Sequence, residues 1–257
     1  MPVIEIDRLK KRYQDVYVLK GIELSIEAGQ IVGYIGPNGA GKSTTIKIIA
    51  GIIADFEGYV KVFGLDTRKN TLEIKQRIGY IPEQAALYEV LTPIEYLRFV
   101  GKLFNLADKA ISEKSAELLR LFDLSNKATT RMSSFSKGMK QKVLLISGLM
   151  HNPEIIFLDE PLSGLDANAV ILVKEILLQM KQSGKTIFYS SHIMDVVEKI
   201  SDRIIIIDKG AIIADGSFSE LQQLQHKGSL ENIFTSLTGD NEQNVSVAKE
   251  FIDVLKG

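Results

Sequence analysis

The sequence predicts an α/β fold with a mostly parallel sheet, an N-terminal antiparallel β subdomain and a helical subdomain. Three observations support this. Strand-like segments with short connections fill the first 64 residues, and residues 87–150 are rich in Leu, Lys, Glu and Ala with helical spacing. Continuous apolar runs then follow at 155–158, 186–189 and 203–207. Such runs between helices are typical of parallel strands buried on both faces.

The N-terminal elements are predicted from alternation and turn residues. VIEID at 3–7 and the segment 18–27 alternate apolar and polar residues, as half-buried strands do. After the turn at Ala28 and Gly29, IVGYI at 31–35 predicts a buried strand, and glycines separate it from a helical pattern at 43–50. GYVKVFG at 58–64 predicts another strand.

The C-terminal part continues the sheet and ends in helices. Asp208, Lys209 and Gly210 predict a hairpin turn into a strand at 211–214. From residue 217 the chain is polar and helical in character, and we predict a helical tail over 221–257. Its last apolar stripe, which we expect to pack on the core rather than to dock a partner, is Val247, Phe251, Val254 and Leu255.

Composition limits the classes of function. With 257 residues, 45% of them hydrophobic, the chain can form a sizeable apolar core. The net charge of -1 and the pI near 6.4 lack the basic excess of most nucleic-acid-binding proteins, so no nucleic acid partner is expected. Zero cysteines exclude disulfides and fit a reducing compartment. Neither a signal peptide nor an apolar run of the ~18 residues that a membrane span needs is evident.

Residues 36–43, GPNGAGKS, match G-x-x-x-x-G-K-[ST] between a buried strand and a helix. Glycines let backbone N–H groups turn toward phosphate oxygens, and the helix N-terminus adds positive potential. Lys42 would neutralise the β- and γ-phosphates and Ser43 would bind Mg²⁺. A Gly-rich turn that merely starts a helix is the alternative, which Lys and Ser in register disfavour. The predicted nucleotide contacts are Gly36, Pro37, Asn38, Gly39, Ala40, Gly41, Lys42, Ser43 and Thr44.

A second motif, IIFLDE at 155–160, ends an apolar strand in two carboxylates. Alone it is read equally well as a strand reaching the surface. Beside a phosphate cradle, Asp159 occupies the place of a Mg²⁺ ligand at the carboxyl end of a neighbouring strand. Glu160 would polarise a water for in-line attack on the γ-phosphate, which favours hydrolysis.

With these motifs and four further segments, the chain resembles the ATP-binding cassette (ABC) ATPases over nearly its whole length. SFSKGMKQ at 134–141 is similar to the family signature, PLSGLD at 161–166 to the loop after the catalytic Glu, and GYIPEQ at 79–84 to the coupling loop. His192, after TIFYSS, is similar to the switch histidine. The resemblance implies a P-loop NTPase core that forms a nucleotide-binding domain over 1–220, with 87–150 as the helical signature subdomain.

The resemblance also implies a dimer. The signature helix is expected to begin near Lys140, and Ser136 and Gly138 to bind the γ-phosphate held by the other subunit, so that two chains enclose two ATP molecules head to tail. Asp166 is expected to reach across the interface. The alternatives are an ordinary N-cap for Ser136 and a turn residue for Asp166.

Three more roles come from the family. Lys42, Glu160 and His192 form the expected catalytic set, with the imidazole bonded to the γ-phosphate and orienting the water. Tyr13 is expected to stack on adenine, with Val18 lining the same base. On the residues alone, His192 is equally a partly exposed polar residue and Tyr13 a core aromatic.

Two segments depart from the family pattern. The signature commonly reads LSGGQ, whereas residues 135–139 read FSKGM. In the coupling loop Glu83 occupies the expected Gln position with Gln84 beside it. We assign Gln84 to the metal set with Ser43 and Asp159, and leave open which of Glu83 and Gln84 approaches Mg²⁺ or the water.

The leading hypothesis is therefore an ATPase subunit, using ATP and Mg²⁺, that lies on the cytoplasmic face of the cell membrane and drives export through a separate membrane-spanning subunit. The sequence of the coupling loop resembles that of the export-type branch of the ABC family. Homodimer and heterodimer both remain open. A non-transport ABC ATPase acting on nucleic acid or ribosomes is the alternative, although such relatives usually carry a coiled-coil insertion or two cassettes. A simple P-loop kinase or nucleotide sensor is disfavoured by the signature segment and His192.

Overall fold

Two β-sheets pack against each other through a shared apolar core in the structure, a computed structural model that describes residues 2–84, 87–225, 228–239 and 250–255. The strands are β1 (Ile4–Tyr13), β2 (Val16–Ile26), β3 (Ile31–Ile35), β4 (Glu57–Val62), β5 (Leu65–Asp66), β6 (Ile78–Ile81), β7 (Ile155–Asp159), β8 (Thr186–Ser190), β9 (Arg203–Asp208) and β10 (Ala211–Gly216). The helices are α1 (Lys42–Ile49), α2 (Thr71–Arg77), α3 (Pro93–Leu103), α4 (Asp108–Leu121), α5 (Lys137–Leu149), α6 (Ala167–Gln182), α7 (Met194–Ile200), α8 (Phe218–Gln225) and α9 (Leu230–Thr238).

The smaller sheet is antiparallel, in the order β2-β1-β4-β5, as predicted for the N-terminal subdomain. Strand β1 runs on to Tyr13, beyond the predicted end at residue 7. Arg8 has a φ of 47°, and the pairing with β2 shifts register between Ile6 and Leu9. This bulge moves the buried positions out of strict alternation, which is why alternation alone predicted a shorter strand.

The larger sheet has the order β10-β9-β3-β8-β7-β6, and its strands are parallel except for β10. Strands β3, β7 and β8 are buried at every residue, as the continuous apolar runs predicted. The predicted hairpin between β9 and β10 is present, and Lys209 (φ 47°) and Gly210 (φ 83°) provide its left-handed turn. The mostly parallel α/β architecture is thus confirmed.

Two apolar cores lie on opposite faces of the larger sheet. One contains α1 and the smaller sheet, with Tyr34, Phe157 and Phe188 contributed by β3, β7 and β8. The other joins the sheet to α5, α6, α7, α8 and α9, and extends to α3 and α4. In the described ranges no helix combines the length and apolarity that crossing a bilayer requires.

The C-terminal tail divides into a packed part and an exposed part. Leu230 and Ile233 of α9 are fully buried against the second core. In contrast, Phe251, Val254 and Leu255 are 62%, 75% and 67% exposed. The prediction that the last apolar stripe packs on the core is therefore wrong for these three residues. Val247 lies outside the described residues.

Candidate active site

The glycine-rich loop lies where a parallel sheet places ligands, at the carboxyl ends of its strands. It follows β3, one of the two central strands of the larger sheet, and leads directly into α1. Gly36 leaves no room for a side chain, because a Cβ there would lie 2.2 Å from the carbonyl oxygen of Ile207. Gly41, with a φ of 111°, is the N-cap of α1 and needs the left-handed conformation that glycine adopts without strain.

The side chain of Lys42 is held inside this loop. Its Nζ donates to the carbonyl oxygens of Gly36 at 2.7 Å and Pro37 at 3.0 Å. The residue is nearly buried, and burial lowers the pKa of the ammonium group, while the negative charges of Glu160, Asp159 and Glu83 oppose that shift. A largely desolvated ammonium group forms strong, charge-assisted hydrogen bonds to phosphate oxygens.

The predicted acidic residues meet Lys42 in one cavity. The loop, the end of β7 and the segment after β8 enclose about 280 Å³, lined by Val18, Asn38, Gly39, Gly41, Lys42, Ser43, Thr44, Glu83, Asp159, Glu160 and His192. Ala40 is buried beneath the loop, and its N–H donates to Pro37 O at 3.2 Å. The order of strands explains why these residues are close together. Strand β8 lies between β3 and β7, so His192, which follows β8, lies between the glycine-rich loop and the end of β7.

Glu160 has an unusual backbone and an unusual environment. Its φ of 49° is left-handed, a conformation that costs roughly 1 kcal/mol or more for a non-glycine residue, and its N–H donates to Ser190 O at 3.0 Å. Burial, with smaller contributions from the negative charges of Asp159 and Glu83, raises the pKa of Glu160 to about 7, although the His192 N–H and Lys42 oppose the rise. Strained, perturbed carboxyl groups of this kind cluster at functional sites.

His192 sits against this carboxylate. Its backbone N–H donates to Glu160 Oε2 at 3.2 Å, and its Nε2 lies 3.2 Å from Oε1. Burial and the nearby charge of Lys42 lower the pKa of the imidazole. The ring is half exposed, so it can face both Glu160 and a group entering the cavity.

Asp159 supplies a buried acceptor at the end of β7. The residue is 2% exposed, and its Oδ1 has no hydrogen-bond partner among the residues that the structure describes. Buried acceptors are normally paired, so this oxygen fits a cation. Ser43 lines the same cavity. Among the described residues, no group of three or more His, Cys, Asp or Glu side chains is arranged to hold a metal ion, so a metal there would need phosphate oxygens as further ligands.

The coupling-loop candidates separate in the structure. Glu83 lines the cavity, and its charge acts on Lys42, Glu160 and His192. Gln84 is exposed and is not among the lining residues. The geometry thus favours Glu83 over Gln84 for a role beside the phosphates, and the metal assignment of Gln84 stays a prediction.

Tyr13 ends β1 and pairs with Val16 across the turn, 47% exposed. It borders no part of the cavity wall itself, whereas Val18, on the paired strand, does. The structure therefore brings the predicted base contacts to neighbouring positions on one hairpin, outside the phosphate loop.

The signature segment lies apart from this cavity. Helix α5 begins at Lys137, three residues before the expected start near Lys140, because Ser136 caps it by accepting from the Met139 N–H at 3.2 Å. The N-cap alternative for Ser136 is thus present. Gly138 packs so closely that a Cβ there would lie 2.5 Å from Gly164 O.

Side chains of α5 hold the loop that follows Glu160, a connection that sequence reasoning missed. The buried Gln141 donates to Pro161 O at 3.0 Å, and Lys137 Nζ donates to Ser163 Oγ at 2.7 Å. Asp166 caps α6 by accepting from the Ala169 N–H at 2.9 Å. The departure of Lys137 from the family pattern was the one signal that could have pointed to this contact.

Comparisons with known proteins match most of the chain, including the residues of this cavity from Val18's neighbour Leu19 to Glu160. A family model described as ABC transporter matches residues 19–163. The linearmycin resistance ATP-binding protein LnrL of Bacillus subtilis is 38% identical over 219 residues, 85% of this chain and 70% of the relative. The ABC transporter ATP-binding protein NatA of the same organism is 36% identical, covering 91% and 97%. The Nod factor export ATP-binding protein I of Burkholderia lata is 34% identical, covering 84% and 72%.

Solved structures with a similar fold are ATP-binding cassettes as well. The ATP-binding subunit of an ABC transporter superposes with a TM-score of 0.86 at 31% identity, covering 91% of this chain and 99% of that one. A dimeric post-hydrolysis state of the ATP-binding cassette MJ0796, bound to ADP and Pi, gives a TM-score of 0.78 at 25% identity, covering 83% and 98%. The matched family model includes the glycine-rich loop, Asp159 and Glu160, and the longer matches extend beyond them.

Proposed function

Because the chain belongs to the ABC transporter family of ATP-binding proteins and is an ATPase, we propose that it works as a dimer, closing on two Mg-ATP molecules to drive export through a separate membrane-spanning subunit. One observation carries the proposal. Lys42, the pair Asp159 and Glu160, and His192 come from three distant segments of the chain, yet they line a single cavity at the carboxyl edge of the sheet.

The glycine-rich loop binds and orients the triphosphate. Backbone N–H groups of 38, 39 and 41–44 and the N-terminus of α1 face the phosphates, while the Ala40 N–H stays bonded within the loop. On binding, the Lys42 ammonium exchanges its carbonyl partners for phosphate oxygens and offsets the charge that develops as the terminal P–O bond breaks. Tyr13 stacks on the adenine with Val18 beside it, which places the base outside the loop.

Glu160 is the base for hydrolysis. It takes a proton from a water whose oxygen attacks the γ-phosphorus, while the bond from phosphorus to the β–γ bridging oxygen breaks and ADP leaves. A pKa of about 7 suits this role, because a base is most effective when its pKa lies near the working pH. His192, 3.2 Å from Glu160 Oε1, holds the carboxylate and contacts the γ-phosphate.

Mg²⁺ fits the residues present. The orphaned Oδ1 of Asp159 and the hydroxyl of Ser43 would hold it together with phosphate oxygens. When bound, the ion supplies positive charge that stabilises the phosphates during transfer.

The dimer is supported by residues that the chain's own cavity leaves unused. Ser136, Gly138 and Asp166 do not line it, yet α5 is bonded to the loop after Glu160. In the proposed head-to-tail dimer, Ser136 and Gly138 face the γ-phosphate of the partner copy and Asp166 reaches across. The twofold arrangement makes both sites equivalent. The dimeric state named for the cassette MJ0796 supports this arrangement.

The decisive experiment is Glu160→Gln. We expect phosphate release to fall by at least about 100-fold while ATP binding persists, since a neutral amide cannot accept the proton. The variant should then elute as a dimer with Mg-ATP and as a monomer without it. Glu23→Gln, at an exposed position of β2, is the matched control and should behave as wild type. Undiminished turnover in Glu160→Gln would overturn the catalytic assignment, and a monomer under all conditions would overturn the dimer.

The membrane partner and the direction of transport rest on relatives. The Burkholderia lata relative is named an export protein, and export is what we propose here, from the cytoplasmic face of the cell membrane. Affinity purification of the tagged chain from membranes should recover a polytopic membrane protein in stoichiometric amount. Recovery with ribosomes or nucleic acid instead would support the non-transport alternative.

A further inference from the structure

Lys11 of β1 is an almost completely buried lysine. Its side chain is 6% exposed, on the same strand face as the buried Leu9. Lysines are rarely buried to this extent unless they are paired, because desolvating an ammonium group is unfavourable. Its position in the smaller sheet therefore calls for an explanation beyond filling space, which an aliphatic side chain would do at lower cost.

Two groups compensate the buried charge. Lys11 Nζ donates to Asp55 Oδ2 at 2.8 Å, in the connection between α1 and β4. The same Nζ lies 4.8 Å from the centroid of the Tyr13 ring. That distance is within the range of a cation–π interaction, in which a cation is attracted to the face of an aromatic ring. Asp55 is 97% exposed, so it anchors the ammonium from the solvent side.

The arrangement leaves one face of Tyr13 available. The cation covers one side of the ring, while the residue as a whole remains 47% exposed. The β1–β2 pairing brings Tyr13 next to Val16, two residues before Val18 at the cavity wall. The Lys11 ammonium thus supports the ring from one side, and the exposed remainder of Tyr13 is where a flat ligand can stack.

We propose that Lys11 is a positioning residue for nucleotide binding: with Asp55 it fixes the Tyr13 ring so that the free face receives the adenine. The inference rests on the proposed function in one respect, that Tyr13 stacks on the base. Fixing the ring before binding removes an ordering penalty that would otherwise weaken association. Lys11 itself touches neither the phosphates nor the reacting atoms.

The test compares two probes, Mg-ATP and inorganic tripolyphosphate, because only the first carries a base. Lys11→Met keeps the length of the side chain and removes its charge. We expect the Kd for Mg-ATP to rise by about fivefold, with the Kd for tripolyphosphate unchanged. In steady state, KM for ATP should rise while kcat holds. Lys11→Arg should restore most of the affinity, and Lys10→Met, at the exposed neighbouring position, is the matched control.

A double-mutant cycle with Tyr13→Leu separates the possible failures. If Lys11 acts through Tyr13, Lys11→Met has no further effect in the Tyr13→Leu background. An equal loss of tripolyphosphate and ATP binding, or a persistent effect without the Tyr13 ring, would overturn the role of Lys11. Unaltered ATP binding in Tyr13→Leu would instead overturn the stacking assignment. Should Lys11→Met not fold, Asp55→Ala at the exposed partner position removes the acceptor that holds the ammonium and must raise the Kd for Mg-ATP alone, or the proposal fails.

Discussion

The substitution Gly138→Ala tests how tightly the signature helix controls the loop after Glu160. A Cβ at this position would lie 2.5 Å from Gly164 O. A carbon–oxygen contact needs about 3.3 Å, so helix and loop must separate by roughly 0.8 Å. The obstacle is a backbone oxygen, which cannot turn aside as a flexible side chain can, and Gly164 is held in a left-handed conformation with a φ of 79°.

Stability should change little. Alanine is favoured over glycine inside a helix by about 1 kcal/mol, which offsets much of an overpacking cost of about 1–3 kcal/mol. Catalysis should change far more, because the Ser163 N–H donates to the Glu160 carbonyl oxygen at 3.2 Å and so transmits the shift to the proposed base. Misplacing a catalytic group by about 1 Å reduces rates by up to about 100-fold, so we expect a loss of about 10- to 100-fold in turnover.

The assay is phosphate release under saturating Mg-ATP, with ADP affinity and urea unfolding measured on the same samples. ADP affinity should stay within about twofold, since Gly138 does not line the cavity. Gly228→Ala is the matched control, because a Cβ there meets no atom of the described residues within 4 Å. Wild-type turnover in Gly138→Ala would refute the coupling of the two segments, as would an equal loss in Gly228→Ala.

Three further predictions concern binding and stability. Lys42→Met should weaken ATP binding by about 10- to 100-fold and so reduce the ATP-induced rise in Tm. The ligand-free Tm should hold or rise because a desolvated ammonium group is removed, and an undiminished ATP-induced rise would contradict the prediction. His151 stacks on Phe104 with the ring centroids 3.6 Å apart, and burial lowers the pKa of its imidazole. Because the unfolded state then binds protons more readily, the free energy of unfolding should fall as the pH drops below about 6.5. Urea unfolding at about pH 5.5 and 7.5 should show a smaller pH dependence in His151→Gln than in the wild type. Ile233→Ala, at a fully buried position, should lower the free energy of unfolding by about 2–4 kcal/mol. Ile252→Ala, at a position 46% exposed, should lower it by less than about 0.5 kcal/mol. Equal effects of the two variants in denaturant titrations would refute the division of the tail into a packed and an exposed part.

The predictions that succeeded depend on short stretches of chain. The buried strands around 33, 157 and 188 are continuous apolar runs, and the loop of 36–43 combines glycines with Lys42 and Ser43 over eight consecutive positions. A buried strand or a glycine-rich turn needs particular residue types at consecutive positions, so each can be recognised from the sequence alone. The turn at Lys209 and Gly210 is of the same kind.

The predictions that missed depend on geometry that alternation and composition do not record. The bulge at Arg8 extended β1 past the point where alternation breaks. The cap at Ser136 started α5 before its apolar positions begin. The exposed side chains of 251–255 have helical apolar spacing, yet spacing alone does not say whether a helix face is covered.

By itself, the sequence determined that this protein has a glycine-rich loop between a buried strand and a helix, and a carboxylate pair at a strand end, because each is a run of neighbouring residues. Only the tertiary structure decided that Glu83 rather than Gln84 lines the cavity and that the buried Lys11 lies against Tyr13. It also decided that Gln141 of α5 is hydrogen-bonded to the loop after Glu160. These contacts join residues brought together by strand pairing and helix packing. Which distant elements become neighbours depends on the order of strands in the sheet, and no local pattern encodes that order.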